Sequence, residues 1–510
     1  MHWKARCAAA ALGVAVCSAC VAQTTQPTTE DQQKSQGPMT KAQAKELFRS
    51  VDEILGFVSK DTNLPIQHSV KRKLISRDEV TKFLRQKFDE DESTKRMERS
   101  EIVLKKFGLL DKDFHLRPFL LSLLTEQIAG FYDNKTKTVN LLDWIQPDEQ
   151  KPVLAHELTH ALQDQRIDLT KWSEISQNDP SHNMQDDNKH IQLDEADTAR
   201  TAVAEGQAMA VFVDYSLRPV GKTIADAPEL AEKMKDTVSD MSGSPVLARA
   251  PLLLQQSLLF PYDEGLGFEQ QLLIKGGREI AFAGALKTPP SSSFEIMHPD
   301  AYMRHVPVPV LRLPDIHPLI DAEYQPYDLG VMGELDVRIL TELFGGREIG
   351  EALAPEWNGG IYYAAQRKSA VTPAEKESTA SIALFYYSRW KNVDSANSFL
   401  RVYAAEIPRK YSGVMRRKQD EQDGEQIYST NEGDVLLTIS GKGVFVSEGF
   451  PLALARNLRN SIVSVQSEGP MKIATGYHEP ALDLARTIGA FGVMRAGFEP
   501  RYRYTSEGRP

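Results

Sequence analysis

The chain has 510 residues, of which 41% are hydrophobic and 25% are charged, and this length allows two or three globular domains. The formal net charge of −10 excludes the extended basic surface that phosphate binding requires, so no nucleic-acid partner is expected.

Residues 1–22 have the features of a secretion signal. A positively charged start precedes a short apolar run over residues 8–19, and small residues follow. This run is too short to span a bilayer, and no later stretch is apolar for long enough to predict a transmembrane helix. We expect export to the periplasm or the medium, with cleavage after Ala22. A lipoprotein anchored through Cys20 is the alternative.

Residues 23–40 are rich in Gln, Thr, Ser and Lys, which predicts a disordered linker. Residues 41–125 have a mainly helical pattern and form a predicted N-terminal helical region. Within it, a short strand over Val70 to Ile75 precedes Ser76 and Glu79, whose spacing predicts a capping box. That box would open a helix that continues through Phe88.

Residues 126–325 form the predicted catalytic domain, which begins with a β-hairpin. Gly130-Phe131-Tyr132 leads into a polar turn over Asp133 to Thr136, and residues 137–141 alternate as a strand. An edge strand of this kind can pair with an extended peptide through its own backbone. A hairpin that only packs on the helix is an equally good interpretation of this segment.

The motif His156-Glu157-Leu158-Thr159-His160 lies in a predicted helix that begins at Pro147. The two histidines are one turn apart and face the same way, so their imidazoles can bind one divalent cation, for which Zn²⁺ is the best fit. Glu157 is then placed to take a proton from a water molecule at the metal. The competing interpretation is an amphipathic helix that carries two histidines by chance.

A zinc hydrolase site needs a third protein ligand and one open position. Gln163 and Arg166 stand where the metzincin motif has Gly and His, which excludes that subclass. Residues 167–190 are polar and predict a loop. A helix from about Asp194 to Tyr215 follows, and it carries Glu205 among small residues that would let it approach the motif helix closely.

We therefore predict Glu205 as the third ligand. The alternative is that Glu205 is an ordinary solvated glutamate on a helix. The competing ligands in this part of the chain are His182, His190, Asp194, Glu195 and Asp197.

Three segments follow one another: Ala-Gly-Phe-Tyr-Asp with a strand, then His-Glu-Leu-Thr-His-Ala-Leu-Gln-Asp-Gln, then a helix with Glu-Gly-x-Ala. This order resembles that of gluzincin-type metallopeptidases. It is similar in particular to a group of predicted exported bacterial proteins, specifically over residues 130–208 and more weakly over residues 289–302. The resemblance implies that His156, His160 and Glu205 hold zinc and that Glu157 is the general base. Met209 departs from the thermolysin-like pattern, which has at this position an Asp that orients a zinc histidine.

Ser291 to Ser293 predict the cap of a short helix that carries Glu295 and His298 on one face. Such a pair can bind substrate or stabilise an oxyanion near zinc, or it can fasten a loop.

Residues 326–466 form a predicted C-terminal α+β module without a catalytic constellation, and residues 467–510 form a weakly patterned tail. Asp394 is predicted to cap a helix through Ala405, and a last helix covers Pro451 to Ile462. The predicted strands are Ile361 to Ala364, Ile382 to Trp390, Gln426 to Thr430, Val435 to Ile439 and Gly443 to Val446.

The sequence thus predicts an α+β protein in which a mainly helical zincin-like domain with a small edge-strand sheet precedes a module with antiparallel strands. The function predicted is that of an exported zinc metallopeptidase, a hydrolase whose substrate is a peptide or protein. The alternatives are an envelope-binding protein with a structural or vestigial zinc site and a zinc amidase acting on cell-wall peptides. A closed four-ligand site completed by His182 or His190 would favour the binding protein.

Overall fold

The computed structural model describes residues 39–90, 92–127, 130–173, 180–229 and 245–466. The predicted signal peptide, nearly all of the predicted linker and the predicted tail lie outside the described residues. Inside them the chain is α+β, as predicted, with many helices, a three-stranded mixed sheet and a seven-stranded antiparallel sheet. None of the helices in these ranges combines the length and apolar character that crossing a membrane requires.

The N-terminal region is helical, as its pattern predicts. The capping box at Ser76 and Glu79 is present: the Glu79 amide donates to Ser76 Oγ (3.3 Å), and the Ser76 amide donates to Glu79 Oε2 (2.9 Å). The helices here are α1 (Lys41–Thr62), α2 (Arg77–Glu90), α3 (Glu92–Phe107) and α4 (Leu116–Gln127).

A small sheet joins this region to the helices that follow it. It contains β1 (Lys71–Ile75), β2 (Phe131–Asp133) and β3 (Thr138–Leu142) in the order β1-β3-β2. β3 pairs in parallel with β1 and antiparallel with β2. The predicted hairpin is confirmed, and β2 forms the edge of this sheet within the described residues.

The central helix of the region that follows is α5 (Pro147–Ile167), which begins at the predicted proline and is buried at every position from Val153 to Asp164. It packs against α1 and against α8 (Ala196–Leu217). Burial on all sides is possible because neighbouring helices surround α5, and it leaves the motif side chains out of bulk water. The predicted helix around Glu205 is confirmed as α8.

The loop predicted over residues 167–190 is wrong in two places. The structure has α6 (Leu169–Ser173) and α7 (Met184–Leu193) there. Asn183 starts α7, because its Oδ1 accepts from the amides of Gln185 (2.8 Å) and Asp186 (3.4 Å). A cap of this kind supports a short polar helix that has no hydrophobic period of its own.

Two glycines bring α8 close to α10 (Leu252–Glu279). A Cβ atom at Gly206 would lie 2.2 Å from the Gly265 carbonyl oxygen, and a Cβ at Gly265 would lie 2.4 Å from the Ala202 carbonyl oxygen. The small residues beside Glu205 therefore serve a close helix contact. That contact is with α10, whereas the sequence interpretation expected it with α5.

Short helices lie on both sides of α10 in the chain, and a π-helical turn at Ile280–Gly284 follows it directly. The predicted serine cap is confirmed, since Ser292 Oγ accepts from the Phe294 amide (3.1 Å). The other short helices are α9 (Pro245–Ala248), α11 (Ala285–Lys287), α12 (Ser293–Met297), α13 (Pro299–Met303) and α14 (His317–Ile320).

The C-terminal sheet is antiparallel throughout, in the order β4-β5-β6-β10-β9-β8-β7. All five predicted strands are present, whereas β4 and β7 were not predicted. The strands are β4 (Tyr324–Val331), β5 (Trp357–Arg367), β6 (Ile382–Trp390), β7 (Met415–Arg416), β8 (Glu425–Thr430), β9 (Gly433–Ser440) and β10 (Gly443–Glu448).

The helices of this module confirm the two that were predicted and add others. The predicted cap at Asp394 is wrong, because Asn392 Oδ1 accepts from the Ser395 amide (2.8 Å) and Asp394 lies inside the first turn. The helices are α15 (Glu334–Gly345), α16 (Arg347–Leu353), α17 (Pro373–Lys376), α18 (Val393–Lys410) and α19 (Leu452–Val465).

A buried ion pair and aromatic contacts hold the C-terminal sheet against the N-terminal helices. Lys106 Nζ lies 2.9 Å from Glu432 Oε2, and both side chains are at most 5% exposed. Phe107 contacts the rings of Tyr362 and Tyr386 edge-on. The module therefore shares a core with the rest of the described chain.

Candidate metal centre

Helices α5 and α8 bring together His156, His160 and Glu205, the three predicted ligands. The two Nε2 atoms lie 3.0 Å apart. Glu205 Oε2 lies 3.2 Å from Nε2 of His156 and 3.5 Å from Nε2 of His160. Tetrahedral ligands held about 2.0–2.1 Å from zinc are separated by roughly 3.3–3.4 Å, so the three atoms have the spacing of one tetrahedral face.

Burial makes this group costly unless it binds a cation. His156 is 0% exposed, Glu205 3% and His160 6%. The two Nε2 atoms face each other at hydrogen-bond distance, where only one of them can carry a proton. A cation between the two nitrogens and the carboxylate would satisfy all three donor atoms at once. Among the described residues, these side chains are one of two groups that could hold a metal ion.

Gln163 orients His160. Its Oε1 lies 2.9 Å from Nδ1 of His160, while its Nε2 donates to the Ala204 carbonyl (3.0 Å) and to Gln207 Oε1 (2.9 Å). Since Nε2 of Gln163 is committed to two acceptors, Oε1 must face the imidazole, and Nδ1 of His160 must donate. This network leaves the Nε2 lone pair of His160 free for a metal.

The sequence predicts no residue that orients a histidine, because Met209 stands where an Asp was expected for this role. Gln163 supplies that contact. In the sequence, Gln163 stands out only as a departure from the metzincin motif. Its position three residues after His160, on the same face of α5, is the signal that could have identified it.

Electrostatics within the group distinguish the two histidines. Burial lowers the pKa of His156 to about 4, so its imidazole is neutral at pH 7, which is the state that binds metal. Burial also acts to lower the pKa of His160, but the Glu205 carboxylate, with smaller contributions from Glu157 and Gln163, raises this pKa to about 9. The metal-free group thus holds a proton at His160 that a bound cation would displace.

Glu157 lies beside the triad, and it is held by the edge strand. Its Oε2 accepts a hydrogen bond from the Tyr132 amide (2.7 Å), and the residue is 1% exposed. The Tyr132 N–H points away from β3, because it is committed to Glu157. Burial raises the pKa of Glu157 to about 8, with Glu205 adding to the rise and His160 opposing it.

A network below β2 fixes the strand on α5. The Tyr132 hydroxyl donates to Asp164 Oδ2 (2.7 Å), and Lys137 Nζ contacts the same oxygen (2.6 Å). The Leu169 amide donates to the other carboxylate oxygen of Asp164 (3.0 Å). The hairpin is therefore tied to the metal helix at both Glu157 and Asp164.

Tyr262 is a site residue that the sequence did not predict. It lies on α10, is 1% exposed, and its hydroxyl is hydrogen-bonded to Glu205. Burial and the carboxylates of Glu205 and Glu157 raise its pKa well above the usual value, so it remains a donor. Nothing in the local sequence marks this tyrosine, since only the packing of α10 on α8 brings it to the site.

The competing third ligands lie in other contacts. His182 lies 3.0 Å from Asp321, and His190 lies 3.3 Å from Asp194. Glu195 accepts hydrogen bonds from the hydroxyls of Ser292 (2.6 Å) and Ser293 (2.5 Å). The group formed with His156 and His160 contains Glu205 and none of these candidates, nor Asp197.

Glu295 and His298 have local partners. Glu295 Oε2 accepts from the Ser291 amide (2.6 Å) and hydroxyl (2.7 Å). His298 Nε2 lies 2.9 Å from both carboxylate oxygens of Glu334, and its ring contacts Phe294 in a tilted arrangement, with centroids 4.6 Å apart and an interplanar angle of 44°. The structure places both side chains in contacts that fasten α12 and α13.

The chain was compared with protein-family models, with curated proteins and with solved structures, and nothing matches. What can be said of the site therefore comes from its own geometry. Two imidazole nitrogens and a carboxylate oxygen, buried and correctly spaced, form a group that could hold a metal ion.

Proposed function

We propose that this protein is an exported zinc metallopeptidase of the gluzincin type. The observation that carries the proposal is the triangle of His156 Nε2, His160 Nε2 and Glu205 Oε2, with edges of 3.0, 3.2 and 3.5 Å, next to the carboxylate of Glu157. A purely structural metal site has no use for a buried carboxylate beside its ligands. This arrangement supports a hydrolytic role.

The donor set fits zinc. Two neutral imidazoles and one carboxylate are typical of catalytic zinc sites that keep a fourth position open. Zinc held there would polarise the carbonyl of the substrate and lower the pKa of a water molecule. His156, His160 and Glu205 would hold the ion, and Gln163 would keep the Nε2 lone pair of His160 directed at it.

The residues of the chain then divide the proton transfers. A cation at the triad would lower the raised pKa of Glu157, and the ionised carboxylate would then take the proton of the attacking water and deliver it to the amide nitrogen that leaves. The Tyr132 amide holds one carboxylate oxygen of Glu157 in place through the 2.7 Å hydrogen bond. The hydroxyl of Tyr262 holds Glu205.

A peptide is the substrate class that the surroundings favour. β2 is the edge of its sheet among the described residues, and its Tyr132 amide contacts Glu157 directly. Because Glu157 already holds the Tyr132 amide, an extended peptide lying along this edge would run past the general base without using that amide. A strand that lines a peptide-binding cleft would lie where β2 lies, beside the general base.

The test is Glu157→Gln, with zinc content and casein cleavage measured together. The variant should keep its zinc and lose roughly 10²–10⁴-fold in peptidase activity, which is the contribution of a general base. Glu149→Gln is the matched control, since Glu149 is an exposed residue of the same helix. Cleavage by Glu157→Gln at the rate of the parent protein would refute the mechanism.

The amidase alternative is separated by substrate. Purified cell-wall fragments replace casein in the same assay, with and without a chelator. Release of fragments without casein cleavage would identify an amidase. The envelope-binding alternative predicted His182 or His190 as a fourth ligand, but both side chains contact other carboxylates.

A further inference from the structure

A second group of metal-type donors lies outside the triad, where α14 meets the segment that leads into α7. It contains His182, His317 and Asp321, whose donor atoms all lie within 4.8 Å of one another. His182 Nδ1 is 3.0 Å from Asp321 Oδ2, and His317 Nδ1 is 3.8 Å from Asp321 Oδ1. The segments that supply these residues are far apart in the sequence.

His317 is held with its free nitrogen directed at this group. Its side chain is 6% exposed, and its Nε2 lies 3.0 Å from Asp187 Oδ2. The other oxygen of Asp187 accepts from the amide (3.2 Å) and hydroxyl (3.1 Å) of Ser181. Because the Asp187 carboxylate accepts at Nε2, that nitrogen carries the proton and Nδ1 carries a lone pair.

Two buried atoms in the group have no hydrogen-bond partner: Nδ1 of His317 and Oδ1 of Asp321. They are 3.8 Å apart, which is too far for a hydrogen bond. Lys368 does not neutralise the carboxylate, because its Nζ donates to the backbone carbonyl of Asp321 (2.5 Å). Buried polar atoms are normally paired, so both atoms are explained by a ligand between them.

We propose that His182, His317 and Asp321 bind a second divalent metal ion of the zinc class. Two imidazoles and a carboxylate are a borderline-soft donor set that suits zinc better than calcium or magnesium. His182 approaches Oδ2 of Asp321 (3.0 Å) and His317 approaches Oδ1 (3.8 Å), so an ion between the two imidazoles would meet both oxygens of this carboxylate. Asp187 is the positioning residue, in the carboxylate–histidine–metal arrangement that fixes a ligand's tautomer.

The role of this ion is structural. His182 precedes α7, whereas His317 and Asp321 flank α14 immediately before β4. A metal at the group would cross-link the catalytic region to the start of the C-terminal sheet, at a place where α7 already packs on β4. The side chain of His182 is 60% exposed, so one side of the site is open to solvent and to an entering ion.

The experiment is zinc titration of the full mature chain, with bound metal counted by mass spectrometry after dialysis. The parent should hold two ions per chain. His182→Ala and Asp321→Asn should each hold one, with affinity at the second site reduced by at least roughly 10–100-fold. His68→Ala is the control, because His68 is an exposed histidine outside both groups, and it should hold as many ions as the parent.

This site stands apart from the proposed function, and its failure can be recognised separately. Glu205→Ala should remove only the ion of the triad and leave the one at His182. His182→Ala is expected to fold, since its side chain is mostly exposed. If His182→Ala and Asp321→Asn both bind as much zinc as the parent, with equal affinity, the second site does not exist.

Discussion

Replacing Gln163 by Leu removes the contact that orients His160 without touching any ligand. The parent side chain makes hydrogen bonds to His160 Nδ1 (2.9 Å), to the Ala204 carbonyl (3.0 Å) and to Gln207 Oε1 (2.9 Å), and it is 0% exposed. Leu has a similar volume but no polar atom. The Nδ1–H of His160 would then be buried without an acceptor, and the imidazole could rotate or change its tautomer.

The size of the effect follows from these contacts. Loss of the partner that orients a metal histidine reduces affinity by roughly 10–100-fold, or about 1.4–2.8 kcal/mol. Each buried group left unpaired costs about 1–3 kcal/mol of folding free energy. We therefore expect Gln163→Leu to bind zinc 10–100-fold more weakly and to unfold at a lower urea concentration.

Gln270→Leu is the matched control. Gln270 is also buried, at 2% exposure, and it donates to the carbonyls of Ile224 (3.0 Å) and Ala227 (3.0 Å), which are outside the network of His160 and Gln163. It should lose a similar amount of stability and keep zinc affinity within a few-fold of the parent. Competition titration with a chromophoric chelator measures both variants. Parent-like zinc affinity in Gln163→Leu would refute the role of Gln163.

Two further predictions concern stability. Gly206→Ala should lower the free energy of unfolding by about 1–3 kcal/mol in urea melts, because its Cβ would lie 2.2 Å from a backbone oxygen of α10. Gly267→Ala is the control: this glycine has open space around it, so the variant should not destabilise the protein. Burial and the neighbouring Asp61 raise the pKa of Asp214 to about 7. Because the pKa of Asp214 is higher in the folded state, its contribution to stability is complete below the pKa of the unfolded state and is lost as pH rises through about 7. The unfolding free energy of the parent should therefore decline between about pH 4 and 7, and Asp214→Asn should flatten that decline. An unchanged pH profile would contradict the second prediction, and equal effects of the two glycine variants would contradict the first.

Local patterns predicted the elements whose signals are local. β6 begins and ends where the alternation over Ile382 to Trp390 predicts, and the capping box at Ser76 and Glu79 is formed. Two cap-forming residues compete at the start of α18, and only Asn392 has the extended backbone that a cap needs, with φ −141°. The sequence contains both Asn392 and Asp394 and does not distinguish them.

α7 could not be predicted from periodicity. Asp187 and Ile191 are the residues of this helix that are buried, so it presents almost no apolar face. Its start depends on the side chain of Asn183, and its position depends on contact with β4. Both are consequences of a cap and of tertiary packing, which a hydrophobic pattern does not encode.

The candidate metal ligands were also predicted only in part from local patterns. The spacing of His156 and His160 is a property of one helix, so the sequence alone predicts that the two imidazoles face one point. Their meeting with Glu205 was inferred from small residues that turned out to contact α10. Tyr262 and the Tyr132 amide reach the site only through packing of separate elements, and neither leaves a sequence signal.

The most direct measurement of the central claim is a zinc-edge anomalous diffraction map from crystals of the mature protein grown with one equivalent of zinc. We expect a peak bonded at about 2.0–2.1 Å to Nε2 of His156, Nε2 of His160 and a carboxylate oxygen of Glu205, with no fourth protein ligand. A zinc ion that binds without Glu205, or a fourth side chain that closes the site, would contradict the proposed catalytic centre.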